Sequence, residues 1–336
     1  MTAQRTLRVG TRGSMLALTQ SQQVARALTA GTEVAVDLVR VSTTGDTDRR
    51  LLTRIGGTGV FVTAVRDALL EGRTDIAVHS CKDLPTTPMD GIALACIPPR
   101  EDPRDALITR DGAPLAELPA GSRVGTGSPR RAAQILRIRP DLEVVPIRGN
   151  IDTRIGRVRG LDADLDAVVL AASGLNRAGR AGDIAELLSP EVMLPAPAQG
   201  ALAVECRTDD TVPESAGAWV GALLAAGDDE PTRLAVTAER ALLRTLEAGC
   251  SAPVAAYATW SEPSDGAADE VRQLTLRALA ISPDGQTVID GTASAAIGVP
   301  EPGGESPIDA AFALGAQLAA DLLARGAGDL LEAARA

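Results

Sequence analysis

Short apolar runs and longer amphipathic segments alternate along most of the chain. Residues 7–11 and 34–41 have the length and the apolar–polar alternation of strands, and the segment 14–30 between them has helical periodicity. The same pattern predicts further strands at 75–79, 123–126, 143–147, 166–172 and 201–206, and helices at 61–70, 129–138 and 151–158. Strands that alternate with helices in this way predict an α/β fold.

Two proline-rich segments, 98–104 and 194–198, interrupt this alternation and bracket one α/β unit. We therefore expect two lobes joined by a hinge, with the chain returning to the first lobe after the second segment. A short internal echo supports two related lobes. The tripeptide Val-Gly-Thr ends the first strand of each, at 9–11 and 124–126, and a serine placed to cap the next helix follows.

The region from Trp219 onward predicts a smaller third domain. A helix at 231–247 begins at a proline, and Gly249 follows it as a candidate C-cap. Three strand-like runs, at 253–260, 272–281 and 286–295, precede a closing helix at 308–323. These elements predict a small α+β domain with a three-stranded sheet. The expected division is domain 1 at 1–99 with 200–218, domain 2 at 100–199, and domain 3 at 219–336.

Between the second strand and the helix at 61–70 lies a polar segment, 42–59, that contains four glycines. Loops of this length inside a compact domain are usually functional. We expect this segment to act as a lid.

Composition narrows the class of ligand. The chain has 336 residues and a formal net charge of −11, which disfavours nucleic acids and anionic membranes as partners. Residues 121–160 nevertheless contain nine arginines and three acidic residues, an excess of six positive charges. Because the chain has only two Trp, one Tyr and two Phe, little is available for stacking on bases. A small polyanion therefore fits the cationic block better than RNA or DNA does.

The same bulk features favour a cytoplasmic protein. No apolar run reaches membrane-spanning length, and the N-terminus lacks the apolar core of a secretory signal. The four cysteines, Cys81, Cys96, Cys206 and Cys250, form no CxxC pair, so neither a disulfide framework nor a zinc site is predicted. We expect no bound metal.

Basic residues at predicted strand ends and helix starts are candidates for binding carboxylates. Ser128 and Pro129 begin a helix whose free amides and dipole attract anions, and Arg130 and Arg131 add directional donors. Four further residues occupy comparable places: Arg12, Ser14, Arg148 and Arg154. Such a set could clamp several carboxylates. The alternative for any one arginine is a solvated salt bridge, which is our interpretation of Arg137, Arg139, Arg157 and Arg159.

Three further residues could take part in chemistry. Lys82 is the only lysine, and Asp83 follows it at the end of a buried strand, where open α/β sheets bind ligands. A carboxylate there could steady a developing cation, or it could form a structural salt bridge with Lys82. Cys250 lies in a predicted turn after a capped helix, where a thiol can be reactive. A buried, inert cysteine is the alternative.

Several of these motifs, in this order and spacing, resemble the porphobilinogen deaminase (hydroxymethylbilane synthase) family nearly end to end. The matching runs lie at 10–14, 45–46, 56–61, 75–85, 100–105, 124–131 and 148–150, and around the cysteine as Glu247-Ala248-Gly249-Cys250-Ser251-Ala252-Pro253. The resemblance implies two lobes like those of periplasmic binding proteins and a third domain. It further implies a monomeric cytoplasmic enzyme with a dipyrromethane cofactor attached to Cys250 through a thioether.

The resemblance also implies the chemistry and the site residues. Porphobilinogen loses ammonia to give a cationic azafulvene, and four additions to the cofactor precede release of hydroxymethylbilane. Asp83 would be the catalytic residue and would also contact the cofactor. The other implied cofactor contacts are Lys82, Ser128, Arg130, Arg131, Arg148 and Gly149. The implied substrate contacts are Arg12, Ser14, Phe61, Arg148 and Arg154.

Two positions depart from the family's usual pattern. Thr58 stands in the glycine-rich segment where a lysine is common, so one cationic contact is absent unless the nearby Arg54 supplies it. Met15 stands where proline is common at the start of the first helix.

Other classes of protein remain as alternatives. A non-enzymatic solute-binding or effector-sensing protein would share the two lobes, and an RNA-binding module could use the arginine block. A catalytically inactive relative of the deaminases is a third alternative.

Overall fold

The computed structural model describes residues 4–41, 59–248, 252–261, 271–298 and 306–334. The predicted lid at 42–59 therefore lies outside the described residues except for Gly59, and Gly249 and Cys250 lie outside them as well. The described strands are β1 (Thr6–Thr11), β2 (Ala35–Arg40), β3 (Ile76–Ser80), β4 (Ile92–Cys96), β5 (Asp105–Thr109), β6 (Arg123–Thr126), β7 (Glu143–Pro146), β8 (Ala167–Ala171), β9 (Glu186–Leu188), β10 (Leu202–Arg207), β11 (Val254–Trp260), β12 (Val271–Ile281) and β13 (Val288–Gly298). The described α-helices are α1 (Met15–Thr29), α2 (Gly59–Leu70), α3 (Pro129–Ile138), α4 (Ile151–Arg159), α5 (Ala172–Arg177), α6 (Ala218–Gly227), α7 (Glu230–Thr245), α8 (Pro307–Ala324) and α9 (Ala327–Ala333).

The chain divides into two compact units, Met1–Arg100 with Ala201–Arg233 and Glu101–Gly200 with Leu234–Ala336. The first unit contains a five-stranded sheet in the order β2-β1-β3-β10-β4. β1 is parallel to β2 and β3, whereas β10 is antiparallel to β3 and β4. Apolar residues of β1 pack with α1, and Val65 and Leu69 of α2 pack with Ala77 in a separate cluster. The sheet is therefore covered by helices, as the α/β pattern predicts.

The second unit contains an equivalent sheet in the order β7-β6-β8-β5-β9. β6 is parallel to β7 and β8, and β5 is antiparallel to β8 and β9. The two sheets thus have the same sequence of strand directions, with β6 in the place of β1. The echo between residues 9–11 and 124–126 falls on these two equivalent strands.

The C-terminal part of the second unit is a three-stranded antiparallel sheet, β11-β12-β13, as predicted. Its apolar face packs with α7 and α8 in one core that includes Leu242, Leu276 and Leu318. α8 is long and apolar enough to cross a membrane by length and composition alone. Six of its residues are buried in the domain core instead: Ala311, Leu314, Gly315, Leu318, Ala319 and Leu322.

The pattern of the sequence left several elements unpredicted. Strands β4, β5 and β9 and helices α5, α6 and α9 had no clear signal. α6 is apolar on nearly every side, so it lacks amphipathic periodicity, and β9 has only three residues. α6 also packs in the core of the first unit through Val220 and Leu224. The first compact unit therefore continues to Arg233.

Candidate active site

The candidate ligand-binding side chains of the second unit lie at the carboxyl ends of parallel strands. β6 ends at Thr126, and α3 begins at Pro129 with Ser128 as its N-cap residue. Ser128 has extended backbone but its hydroxyl makes no capping hydrogen bond, contrary to the prediction that it caps the helix. Ser14, in the equivalent place before α1, does accept a hydrogen bond from the amide of Ala17 at 3.3 Å. The first turn of α3 therefore keeps donors that are suited to an anion.

Arg130 and Arg131 are held by one buried carboxylate, that of Asp105 at the start of β5. Arg130 Nη2 lies 2.7 Å from Oδ2, and Arg131 Nη2 and Nε lie 2.7 Å and 2.9 Å from Oδ1. Gln199 Nε2 donates to the same Oδ1 at 2.8 Å. The side chains of Asp105, Arg130 and Arg131 are 0%, 3% and 7% exposed. Asp105, which the sequence analysis did not single out, therefore holds both arginines in place.

This cluster carries more positive than negative charge. Burial alone would raise the pKa of Asp105, but Arg130, Arg131 and the Gln199 hydrogen bond outweigh it and lower the pKa to about 2. Burial and the neighbouring Arg131 lower the pKa of Arg130, although Asp105 opposes them. The lowered pKa of Asp105 and the lowered pKa of Arg130 are consistent with each other, because one carboxylate is shared by two guanidinium groups and both groups stay protonated in proteins. An additional anion would therefore be stabilised here.

Arg154 extends the positive region. Its guanidinium lies close to the Gly127 turn, with Nη2 about 4 Å from where a β-carbon on that glycine would be. Nε donates to the carbonyl of Gly149 at 2.9 Å, a residue with φ of 109° that favours glycine. Burial, followed by repulsion from Arg131, lowers the pKa of Arg154. Arg148 is exposed beside Gly149, just after β7. Arg130, Arg131, Arg148, Gly149 and Arg154 are therefore assembled at one sheet edge.

Most of the remaining arginines of the cationic block pair with acidic neighbours. Arg139, interpreted from the sequence as solvated, is mostly buried and also donates to the carbonyls of Leu115 and Leu118, both at 2.7 Å. Arg139 pairs with Asp141 at 2.6 Å, and Arg159 pairs with Asp183 at 2.9 Å. Arg157 pairs with Asp164. Arg137 is exposed.

In the first unit, the predicted residues lie at the ends of β1 and β3. Arg12 follows β1 and is partly buried, and Ser14 caps α1. Met15, where the family commonly has proline, is 80% exposed. Gln20 of α1 is buried and donates to the hydroxyl of Ser80, at the end of β3, at 3.3 Å.

Asp83 closes a single helical turn, Cys81–Asp83, that directly follows β3. The turn is anchored because the amide of Cys81 donates to the carbonyl of Ala201 at 3.0 Å. The Asp83 side chain is exposed and Lys82 is partly buried.

His79, the only histidine, lies on the inner side of the same strand. Its Nε2 is 3.3 Å from Oε2 of Glu205, and Arg66 donates to both oxygens of that carboxylate at 2.9 Å and 2.7 Å. Although burial alone would raise it, His79 and Arg66 lower the pKa of Glu205 to about 2. This group ties α2 to β3 and β10.

The three cysteines among the described residues are buried, as the sequence predicted. Cys81, Cys96 and Cys206 are buried thiols that form no disulfide. Burial raises the pKa of Cys96 to about 12 and that of Cys206 to about 11, so neither thiol is poised to react. Cys250 itself lies outside the described residues, between the end of α7 and the start of β11, and Phe61 falls in the first turn of α2. Within the described ranges, no cluster of His, Cys, Asp and Glu could hold a metal ion.

Sequence reasoning missed Asp105, Gln199 and Arg177. Asp105 was present in the motif at 100–105, but its partners lie 25 and 26 residues further along the chain. Arg177 of α5 is partly buried and donates to the carbonyl of Gly200 at 2.7 Å. In the sequence, only its basic side chain and its place after a predicted strand could have marked Arg177 as a candidate.

Comparisons with known proteins cover almost the whole chain. Residues 7–214 match the family model described as "Porphobilinogen deaminase, dipyromethane cofactor binding domain". Residues 233–324 match "Porphobilinogen deaminase, C-terminal domain". "Porphobilinogen deaminase 1" of Streptomyces coelicolor is 51% identical over 98% of both chains. "Porphobilinogen deaminase" of Thermobifida fusca is 50% identical over 98% of this chain and 97% of that protein. Among solved structures, the cofactor-binding domain of the Cbl transcriptional regulator gives a TM-score of 0.40 at 14% identity, covering 68% of this chain and 91% of that one.

Proposed function

The chain belongs to the porphobilinogen deaminase family, and we propose that Asp83 and the basic residues at the two sheet edges carry its reaction. The enzyme is a transferase of the hydroxymethylbilane synthase type. It condenses four porphobilinogen molecules head to tail with loss of ammonia and releases hydroxymethylbilane, a step of tetrapyrrole and haem biosynthesis. Its cofactor is a covalently bound dipyrromethane.

The residues of the second unit fit such a cofactor. Each of its pyrrole rings carries acetate and propionate side chains, so the group is a small polyanion. Arg130 and Arg131 share a single buried carboxylate, the Nε of Arg130 is buried without a partner, and Arg154 adds another charge. This unbalanced positive charge is the observation that carries the proposal. Bidentate guanidinium–carboxylate pairing would then hold the ligand.

Ser128, Arg130, Arg131, Arg148 and Gly149 would hold the cofactor's carboxylates, together with Lys82. When bound, the dipyrromethane supplies a terminal pyrrole whose free α-carbon is the nucleophile. The helix start at Ser128 would contribute backbone donors, because no side chain occupies that cap in the structure.

Arg12, Ser14, Phe61, Arg148 and Arg154 would bind the incoming substrate. Porphobilinogen likewise carries an acetate and a propionate, so cationic and hydroxyl donors suit both ligands. Ser14 already uses one lone pair to cap α1, and its hydroxyl proton remains for a ligand carboxylate.

Asp83 would stabilise the positive charge that porphobilinogen acquires when ammonia leaves. Its carboxylate is exposed at the end of β3 and would accept hydrogen bonds from pyrrole N–H groups. A carboxylate about 4 Å from a cation, at an effective dielectric near 20, stabilises it by about 4 kcal/mol. This attraction grows as the charge develops, so it lowers the barrier and does not merely strengthen binding.

The finer organisation is also a proposal. The lack of a nucleic-acid or anionic-membrane partner is supported by the acidic net charge and, for nucleic acids, by the scarcity of aromatic residues. A monomer in the cytoplasm is what membership of the family implies. Three domains are supported by the three separate sheets, with the cofactor cysteine in the C-terminal domain.

The test is the intact mass of the purified protein beside a Cys250→Ser control. An excess equal to two linked pyrrole units, absent from the control, is expected. If wild-type protein keeps the bare mass even after incubation with porphobilinogen, the attachment to Cys250 and the proposed function fail together. A binding protein would take up porphobilinogen reversibly and show no covalent excess.

A further inference from the structure

The turn between β12 and β13 contacts the helix that carries Arg130 and Arg131. Gly285 in this turn has a φ of 75°, and a β-carbon there would lie 2.6 Å from the carbonyl oxygen of Ala133 and 2.7 Å from the amide nitrogen of Arg137. Both atoms belong to the backbone of α3. Two backbones therefore meet directly, and neither can yield by rotating a side chain.

The turn itself, residues 282–287, is held by its own hydrogen bonds. Ser282 exchanges bonds with Thr287, whose amide donates to the serine hydroxyl at 2.9 Å. The hydroxyl also donates to the Asp284 carboxylate, which accepts from the amide of Gln286 at 3.1 Å. Gly285 N donates to Ser282 O at 2.8 Å. Because these hydrogen bonds leave the turn few other conformations, a shift of the turn would also move α3.

A second set of contacts links α3 to the same C-terminal domain. Gln134 of α3 brackets the backbone of Leu194, accepting from its amide at 2.8 Å and donating to its carbonyl at 3.1 Å. The next residue, Pro195, accepts a hydrogen bond from Ala256 of β11 at 3.1 Å. α3 is thus fixed to β11 through Leu194 and Pro195, and to the β12–β13 turn through Gly285.

We propose that the 282–287 turn is a positioning contact that sets α3, and with it Ser128, Arg130 and Arg131, relative to β11. This inference rests on the proposed attachment of the cofactor to Cys250, which precedes β11 in the chain. One rigid frame would then locate both the thioether and the groups that hold the ligand's carboxylates. The contact would act before catalysis, by letting the ligand reach its cysteine and its arginines at the same time.

Gly285→Ala tests the contact, and Gly121→Ala is its matched control. Gly121 has a φ of 79°, so both substitutions impose the same left-handed backbone penalty, but nothing lies within 4 Å of a β-carbon at Gly121. We expect both variants to lose stability through this shared penalty, and Gly285→Ala to lose more because of its contacts with α3. Only Gly285→Ala must displace α3, and misplacement of binding groups by up to about 1 Å costs up to about a hundredfold in rate.

The readout is cofactor loading, followed by intact mass. Protein made without cofactor is incubated with porphobilinogen, and the rate at which it gains two pyrrole units is measured. We expect a fall of about tenfold for Gly285→Ala relative to Gly121→Ala. Amide exchange of residues 133–138 in holoenzyme should accelerate in Gly285→Ala alone. Equal loading rates and equal exchange in the two variants would overturn the proposal.

Ser282→Ala keeps the proposal testable if Gly285→Ala does not fold, because it loosens the turn without adding a clash. Its control is Ser294→Ala, on β13, whose hydroxyl shares a hydrogen bond with that of Thr275 on β12, away from the turn. Faster exchange in α3 and slower loading are expected for Ser282→Ala, and identical behaviour of the two serine variants would refute the contact's role. If wild-type protein never gains the mass, the proposed function fails instead, and the α3 exchange data still decide whether the turn positions the helix.

Discussion

Replacing Asp105 with Asn should destabilise the protein far more than its single negative charge suggests. The side chain is wholly buried and is the only acidic partner of Arg130 and Arg131 among the described residues. Asparagine keeps the shape but removes the charge and turns an amide N–H₂ or a weaker acceptor toward two guanidinium groups. Breaking a buried ion pair from one side costs about 3–5 kcal/mol, because the remaining charge stays buried without compensation.

The lowered pKa of Asp105 gives a second, smaller value for the stability that this carboxylate contributes. It falls from 3.8 to about 2, so the folded state favours the ionised carboxylate. A shift of that size corresponds to about 2 kcal/mol of stability, present above pH 4 and lost as the pH falls toward 2. Asp105→Asn should therefore lower the free energy of unfolding at pH 7 and should also flatten this acid-side loss.

Urea unfolding at pH 7 measures the effect, with Asp141→Asn as the control. Asp141 pairs with Arg139 at 2.6 Å, a distance like those in the Asp105 cluster, but that carboxylate is at the surface. Exposed pairs contribute little, so the control should leave the unfolding midpoint nearly unchanged. Equal midpoints for the two variants would refute the buried surplus of charge. The loss should also be larger in a Cys250→Ser background, since a loaded cofactor's carboxylates would partly neutralise the same arginines.

Results for four further variants are expected. Asp83→Ala should lower the rate of porphobilinogen consumption by about a thousandfold without changing cofactor mass, and a variant with half the activity would remove Asp83 from its role. Glu205→Gln should remove about 3 kcal/mol of stability at neutral pH, because folding lowers the pKa of Glu205 to about 2. Wild type has this stability above pH 4.5 and loses it as the pH falls toward 2. Urea unfolding should therefore show a smaller difference between the two proteins at about pH 3 than at about pH 6. Gly315→Ala should destabilise by about 1–3 kcal/mol or more, since its β-carbon would lie 2.1 Å from the Ala238 carbonyl between two helices. Gly156→Ala, in a helix with nothing within 4 Å, should instead stabilise by up to about 1 kcal/mol, and calorimetry that shows both alanines acting alike would contradict this packing argument.

The sequence predicted the architecture well where periodicity was strong. α1, α3 and α4 begin and end within about two residues of their predicted positions, and the three strands of the C-terminal domain were all expected. β5 was missed because it begins directly after a proline-rich segment with a buried aspartate, and a charged first residue does not suggest a central strand. That aspartate is the residue on which the arginines depend.

The candidate site could be predicted only as a set of residue types. Ser128 and Arg130 were placed correctly at a helix start, but the partner of Arg130 required knowledge that β5 enters the sheet beside β8. The same holds for Arg66 and Glu205, which are 139 residues apart and meet across α2 and β10. Periodicity specifies which face is buried, whereas a buried ion pair depends on strand order, which a single sequence leaves open.

The way the arginines are paired explains how an acidic protein can select a small polyanion. The cationic block at 121–160 has an excess of six charges in sequence, yet at the surface it is largely neutralised by neighbours such as Asp141, Asp164 and Asp183. Uncompensated charge survives at Arg130 and Arg131, which are recessed, and at the adjoining Arg154. An extended phosphate backbone needs exposed cations along a surface. Compact pyrrole carboxylates can instead reach a recessed cluster, where a lower effective dielectric strengthens each contact. Selectivity would therefore come from where charge is left unpaired, and the net charge of −11 would repel the competing polyanions.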